Sequence, residues 1–122
     1  MYKSCCSIIL EVGYYASWAA YRSCHEFQVK NIDPRSYTHL NYAFGNISKG
    51  VMIDPESNDE ISEIKQFTAL KGINTSLKTL VSVGGWTFND PGPTRREFHD
   101  IVSTQRIPIS CHLIMNDASV LL

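Results

Sequence analysis

The stretch Leu77-Lys78-Thr79-Leu80-Val81-Ser82-Val83-Gly84-Gly85-Trp86 decides the fold. It reads as a strand that stops abruptly in two glycines and a tryptophan. Leu80, Val81 and Val83 make the short β-rich apolar run expected of a strand covered on both faces. Gly84 and Gly85 remove Cβ at its carboxyl end, the edge where α/β folds keep their sites. Trp86 then adds a flat apolar face at the same rim. Leaving a sheet through two glycines is also ordinary architecture, and a tryptophan after them is more often core than platform. This run alone leaves both readings open.

Upstream, Val12-Gly13-Tyr14-Tyr15-Ala16-Ser17-Trp18 and Tyr37-Thr38-His39-Leu40-Asn41-Tyr42-Ala43-Phe44 read as two more strands. Each is short, rich in aromatic or β-branched residues, and bounded by polar or turn residues. Between the second and third runs, Ile61, Ile64 and Phe67 recur at helical spacing. Ser57 and Glu60 make a capping box before them, and Gly72 sits where a C-terminal cap belongs. After the third run, Thr94 and Glu97 make a second capping box, followed by the stripe Phe98, Ile101, Val102. Phe27 to Asn31 is a weaker helical segment, and Asp33-Pro34 marks a turn. Strands alternating with helices predict an α/β fold with parallel strands and right-handed crossovers. From Arg106 onward no clean period survives, and Pro108 would break a preceding helix. The expected organisation is an extension over 1–11, one α/β domain over 12–105, and an irregular tail over 106–122.

Composition sets limits on function. A net charge of −1 with 19% charged residues gives no electrostatic case for nucleic acid or an anionic membrane. No apolar run approaches the roughly 20 residues of a membrane span. Ser7 to Leu10 is too short for a signal-peptide core, so no export signal is expected here. Cys5, Cys6, Cys24 and Cys111 could make two disulfides by count, but they fit no zinc spacing, and unpaired structural thiols are the favoured reading. The triplets Asn46-Ile47-Ser48 and Asn74-Thr75-Ser76 would matter only in a secreted parent.

Aromatic residues gather at the expected strand ends: Tyr14, Tyr15 and Trp18, then Phe44, then Trp86. Sugar rings present apolar C–H faces, so an aromatic cleft suits a polysaccharide; core packing is the competing explanation. Ser82 places a hydroxyl inside a buried strand, where it needs a partner. Facing a cleft, it could hold a carboxylate or a tyrosine hydroxyl.

On three motifs in order, the chain resembles the N-terminal part of a glycoside hydrolase family 18 catalytic domain, the chitinase family, closest to its fungal type. These are Gly13-Tyr14-Tyr15-Ala16-Ser17-Trp18, His39-Leu40-Asn41-Tyr42-Ala43-Phe44 and Ser82-Val83-Gly84-Gly85-Trp86, the last being the family's S-x-G-G signature. The resemblance runs over about residues 12 to 105. It implies a partial (β/α)8 TIM barrel, about the first three β/α units. It also implies a secreted parent that needs no cofactor or metal and whose partner is chitin or a chito-oligosaccharide. That family cleaves β-1,4-linked N-acetylglucosamine with retention, using the substrate's own acetamide as nucleophile. By the resemblance, Tyr14 and Ser82 support the inner aspartate of a D-x-x-D-x-D-x-E motif on strand four. Phe44 lines the sugar site, Trp18 and Trp86 stack on sugars, and Gly84 and Gly85 keep the site open.

No D-x-x-D-x-D-x-E occurs within the 122 residues. The acidic stretch Asp54-Pro55-Glu56-Ser57-Asn58-Asp59-Glu60 has the wrong spacing, and the loop carboxylate Asp90 cannot replace an acid and its partner. The expectation is therefore a chitinase-like chain with no catalytic residue of its own. Two alternatives stand beside it: a non-catalytic chitin binder using Trp18, Phe44 and Trp86, and an unrelated α/β protein holding phosphate at Gly84-Gly85. The last lacks any G-x-G-x-x-G or P-loop. A barrel of this class closes with about 250 residues. Three strands would leave two open edges, which predicts marginal stability and a tendency to aggregate.

Overall fold

The structure, a computed structural model, describes residues 9–48, 51–52, 58–103 and 119–121. Strand β1 (Val12–Ala16) leads into a 3-10 turn, Ser17–Tyr21, and two more such turns follow at Val29–Asn31 and Pro34–Ser36. Strand β2 (His39–Gly45) is followed by the two-residue strands β3 (Ile47–Ser48) and β4 (Val51–Met52). Helix α1 (Asn58–Ala69) ends in a 3-10 turn, Leu70–Gly72, before strand β5 (Lys78–Val83). Helices α2 (Trp86–Asn89) and α3 (Glu97–Ser103) and strand β6 (Ser119–Leu121) complete the order.

β1, β2, β5 and β6 form one sheet in that spatial order, and every neighbouring pair is parallel. Tyr14 pairs with Asn41, Asn41 with Leu80, and Ala43 with Ser82. Between Ala43 and Gly45 the register slips, and the Ala43–Phe44 peptide bond there is cis. β3 and β4 make a separate antiparallel ribbon.

In a strand, alternate residues face opposite sides. One side carries Tyr15, Leu40, Tyr42 and Val81, and α1 packs there through Ile64 and Phe67; all six are buried. Tyr15, Tyr42 and Phe67 form an aromatic knot. The Tyr15 and Phe67 rings stack at 5.9 Å, and Tyr42 meets Phe67 edge-on at 5.6 Å. Each such buried side chain contributes about 1.5–3 kcal/mol relative to exposure. Gly13 lies on this side too, where a Cβ would come within 2.7 Å of the Tyr37 ring. The other side carries Val12, Tyr14, Asn41, Leu80 and Ser82.

Several boundaries differ from the sequence reading. β1 stops at Ala16, not Trp18, because Ser17–Tyr21 coils into a turn whose Ala19 is buried and accepts the Phe27 N–H at 3.0 Å. β2 begins at His39, not Tyr37, and the residue before it turns its side chain onto the Glu11 backbone. The Thr38 hydroxyl accepts from the Glu11 N–H and donates to the Glu11 carbonyl, both at 3.0 Å. Gly72 lies in the 3-10 turn and needs no left-handed conformation; the Ile73 and Asn74 N–H groups close the turn on the Leu70 carbonyl. The second capping box does not form as expected. Thr94 turns its hydroxyl onto the Phe88 carbonyl at 2.8 Å, and the Glu97 N–H bonds the Thr94 carbonyl instead.

The tail is not irregular throughout. Ser119–Leu121 run parallel to β5, with Ser119 opposite Leu80 and Leu121 opposite Ser82. β5 is therefore an inner strand, and the two edges of the sheet are β1 and the short β6. Residues 104–118, Cys5, Cys6, Cys111 and the cap residue Ser57 lie outside the described residues, as do the side chains of Phe98, Ile101 and Val102.

Candidate functional site

The site is built where β5 ends. Gly84 and Gly85 have φ of 92° and 98°, a region closed to most side chains. Gly85 is required twice, since a Cβ there would lie 3.1 Å from the Phe44 ring. The double turn points the chain off the sheet and starts α2 at Trp86. The Asn89 side-chain amide holds the turn by donating to the Gly85 carbonyl at 2.8 Å. Trp86 is left 86% exposed, so it is a surface ring and not core.

Trp18 arrives from the turn after β1 and stacks on Phe44 at the end of β2. Their ring centroids are 5.9 Å apart and the planes tilt by 20°. Trp18, Phe44, Gly84, Gly85 and Trp86 then line one cleft of about 500 Å³, together with Ser17, Asn46 and Thr87. All five residues expected to bind sugar are thus brought together. Tyr15, also a candidate aromatic, belongs to the core beneath.

Tyr14 and Ser82 are placed differently. Both face the side of the sheet opposite α1, but Tyr14 sits beside Asn41 while Ser82 sits beside Ala43. They share a face without touching the cleft. Tyr14 is 63% exposed and lines a separate hollow of about 300 Å³ near Gly13, Ile32 and Tyr37. Ser82 is buried and its hydroxyl has no hydrogen-bond partner.

Two residues escaped the sequence reading. Asn41 is buried on the same face as Ser82, and its carbonyl oxygen also lacks a partner. The signal was available: a polar residue in a buried strand, at the alternation phase of Tyr14, poses the question asked of Ser82. Glu63, on α1, accepts the Tyr15 hydroxyl at 2.6 Å and the Tyr42 hydroxyl at 2.7 Å, one on each carboxylate oxygen. Burial first, and then the bond to Glu63, push both tyrosine pKa values well above the ordinary range. Tyr21 is raised as well, by desolvation and by the nearby Glu63, Asp59 and Glu60 carboxylates.

A parallel sheet with helix α1 packed on one face and an aromatic cleft at its carboxyl edge has the layout of part of an α/β barrel's active rim. The family model for glycosyl hydrolases family 18 matches residues 11–108, and the chain belongs to that family. It is 35% identical to chitotriosidase-1 of Mus musculus over 94 residues, covering 76% of this chain and 19% of that protein. It is 30% identical to chitinase A1 of Niallia circulans, again covering 76% of this chain and 19% of the relative. The solved group IV chitinase of Ostrinia furnacalis is 36% identical with a TM-score of 0.65, covering 92% of this chain and 32% of that one. That enzyme has also been solved with allosamidin. Human YKL-39, described as a pseudo-chitinase with retained chitooligosaccharide binding properties, gives a TM-score of 0.57 at 26% identity, covering 80% of this chain and 29% of that one. The chain thus spans about a fifth of these curated relatives and about a third of the solved ones. Their fold is the TIM barrel, and the small parallel sheet here corresponds to part of it.

Proposed function

We propose that the cleft formed by Trp18, Phe44 and Trp86 binds N-acetylglucosamine oligomers and that the chain, by itself, does not hydrolyse them. One observation carries the reading: all five expected sugar-site residues converge on one open cleft of about 500 Å³. Flat aromatic faces exclude water from the C–H faces of pyranose rings, and each buried ring contributes through the area removed from water. The positive-φ turn at Gly84-Gly85 keeps Cβ atoms out of the cleft, so a sugar can lie close to the backbone.

In this reading β1, β2 and β5 are the first three strands of the family barrel, and residues 12–105 are its domain. Tyr14 and Ser82 await the inner aspartate of strand four. On the side of β5 away from β2 the paired strand is Ser119-Val120-Leu121, and none of these residue types carries a carboxyl group. Substrate-assisted cleavage needs an acid at the leaving oxygen and a carboxylate beside the acetamide. Neither is supplied by the 122 residues in the required spacing. Binding without turnover is the consequence, in the manner described for YKL-39.

The test is retention of the purified chain on chitin beads, with Trp86→Ala as the control. Retention lost in the variant supports the reading; no retention of the parent chain rejects it. Release of sugar from a chito-oligosaccharide, abolished by mutating one of the chain's own carboxylates, would reject the non-catalytic half.

A further inference from the structure

Glu63 stands outside the cleft, on the helical side of the sheet. It still touches the residues that carry the cleft's aromatic platform. We propose that Glu63 is a positioning residue for the Trp18–Phe44 stack, acting through the hydroxyl of Tyr42; the functional consequence rests on the sugar-binding reading of that stack.

The contacts form a short chain. One carboxylate oxygen accepts from Tyr15 on β1 at 2.6 Å and the other from Tyr42 on β2 at 2.7 Å. Bonds from a neutral hydroxyl to an ionised carboxylate are short and about twice as strong as neutral ones. Glu63 therefore ties α1 to two adjacent strands at a fixed height. The side chain of Ser17 lies beside the Tyr42 hydroxyl, and Ser17 directly precedes Trp18. Phe44 is two residues beyond Tyr42 on the same strand.

A second hollow of about 330 Å³ is lined, among others, by Ser17, Trp18, Tyr42, Phe44 and Glu63. Ser17, Trp18 and Phe44 also line the sugar cleft. The stack thus borders both open spaces and is not enclosed by packing on all sides. The Glu63–Tyr42 pair supplies a directional constraint there.

A phenylalanine pair against an apolar helix residue would fill the same core without burying polar groups. Among the described residues no cation pairs with Glu63. The half-buried carboxylate accepts both hydroxyls. That arrangement gains orientation, because a hydrogen bond fixes the tyrosine rings along a direction where a greasy contact would let them slide.

The chain has two tryptophans, Trp18 and Trp86. In a Trp86→Phe background the indole signal reports Trp18 alone, without any ligand. Glu63→Leu in that background is expected to shift Trp18 emission to the red and raise its quenching by acrylamide about twofold or more, as the ring loses its stack. Glu63→Gln, which keeps a carbonyl acceptor for one hydroxyl, should restore most of the parent signal. Tyr42→Phe deletes only the donor and should reproduce the shift even if Glu63→Leu fails to fold. In the chain with Trp86 intact, Glu63→Leu should weaken tetra-N-acetylchitotetraose binding about tenfold, the scale of one lost charged hydrogen bond. Unchanged Trp18 emission and quenching in folded Tyr42→Phe would overturn the proposal. A parent chain that binds no tetraose would instead overturn the sugar-site reading, while the ligand-free Trp18 signal still decides the role of Glu63.

Discussion

Gly85 sits directly under the ring of Phe44: a Cβ built on it would meet three ring carbons between 3.1 and 3.3 Å away. The same residue has φ of 98°, so space and backbone both demand glycine. The turn that ends β5 and the platform that ends β2 are therefore one packing unit.

Gly85→Ala should accordingly destabilise the chain by about 1–3 kcal/mol, the cost of holding a non-glycine residue in a sparsely populated backbone region. It should also push Phe44 off Trp18 and lower affinity for chito-oligosaccharide. Gly72 is the matched control, because a Cβ added there would meet nothing within 4 Å and its φ is ordinary. Gly72→Ala should leave stability unchanged or raise it by roughly 0.5–1 kcal/mol. Denaturant midpoints of the two variants check the pair. Equal effects would mean that Phe44 does not press on the turn.

Asn41 and Ser82 predict gains rather than losses. Each carries a buried oxygen without a partner, on the sheet face away from α1. Such an atom costs about 1–3 kcal/mol, and replacement by an apolar group of similar shape removes that cost. Asn41→Leu and Ser82→Ala should therefore raise the unfolding midpoint. A drop in the midpoint for both variants would mean that their oxygens are satisfied in solution.

These residues also mark what the sequence could and could not reveal. The end of β5 was legible because a glycine pair after an apolar run is a local signal, and the structure gives both glycines positive φ. The α1 stripe was legible for the same reason: Ile64 and Phe67 recur at helical spacing and both are buried. Glu63 was not, since it bonds Tyr15 across 48 positions and a carboxylate on an amphipathic helix otherwise reads as solvated. Trp18 looked like strand because the aromatic run gives no hint that the chain coils at Ser17. The pairing of Ser119–Leu121 with β5 has no local signature at all, because a parallel partner is chosen by the sheet edge it covers.

Asn74 opens one of the N-x-S/T triplets, but its side chain is already committed. The amide nitrogen donates to the Pro34 carbonyl at 2.9 Å and the Tyr37 carbonyl at 3.3 Å, while its oxygen accepts the Ser76 N–H at 3.1 Å. It clamps the loop before β5 to the loop before β2. Asn74→Gln and Ser76→Ala both delete the triplet, yet only the first disturbs the clamp. Asn74→Gln should cost about 1–3 kcal/mol, because two carbonyls lose a donor, whereas Ser76→Ala should stay within about 0.5 kcal/mol. Similar losses in both would place the importance of this turn elsewhere.

Alkaline pH should unfold the chain through Tyr15 and Tyr42. Both are neutral hydroxyls that donate to Glu63, and burial together with that carboxylate raises their pKa values. In the unfolded chain a tyrosine ionises near pH 10, whereas in the fold it holds its proton to higher pH. The folded state therefore binds more protons above that point, and its advantage is complete below about pH 10 and declines as pH rises towards the folded values. Of the six tyrosines, Tyr15 and Tyr42 should ionise only together with loss of the fold. Ultraviolet titration of tyrosinate alongside circular dichroism measures this directly. In Glu63→Gln the carboxylate charge is gone, so Tyr15 and Tyr42 should ionise, and the fold be lost, at lower pH than in the parent chain. Ionisation of Tyr15 and Tyr42 before any loss of secondary structure would contradict the Glu63 clamp.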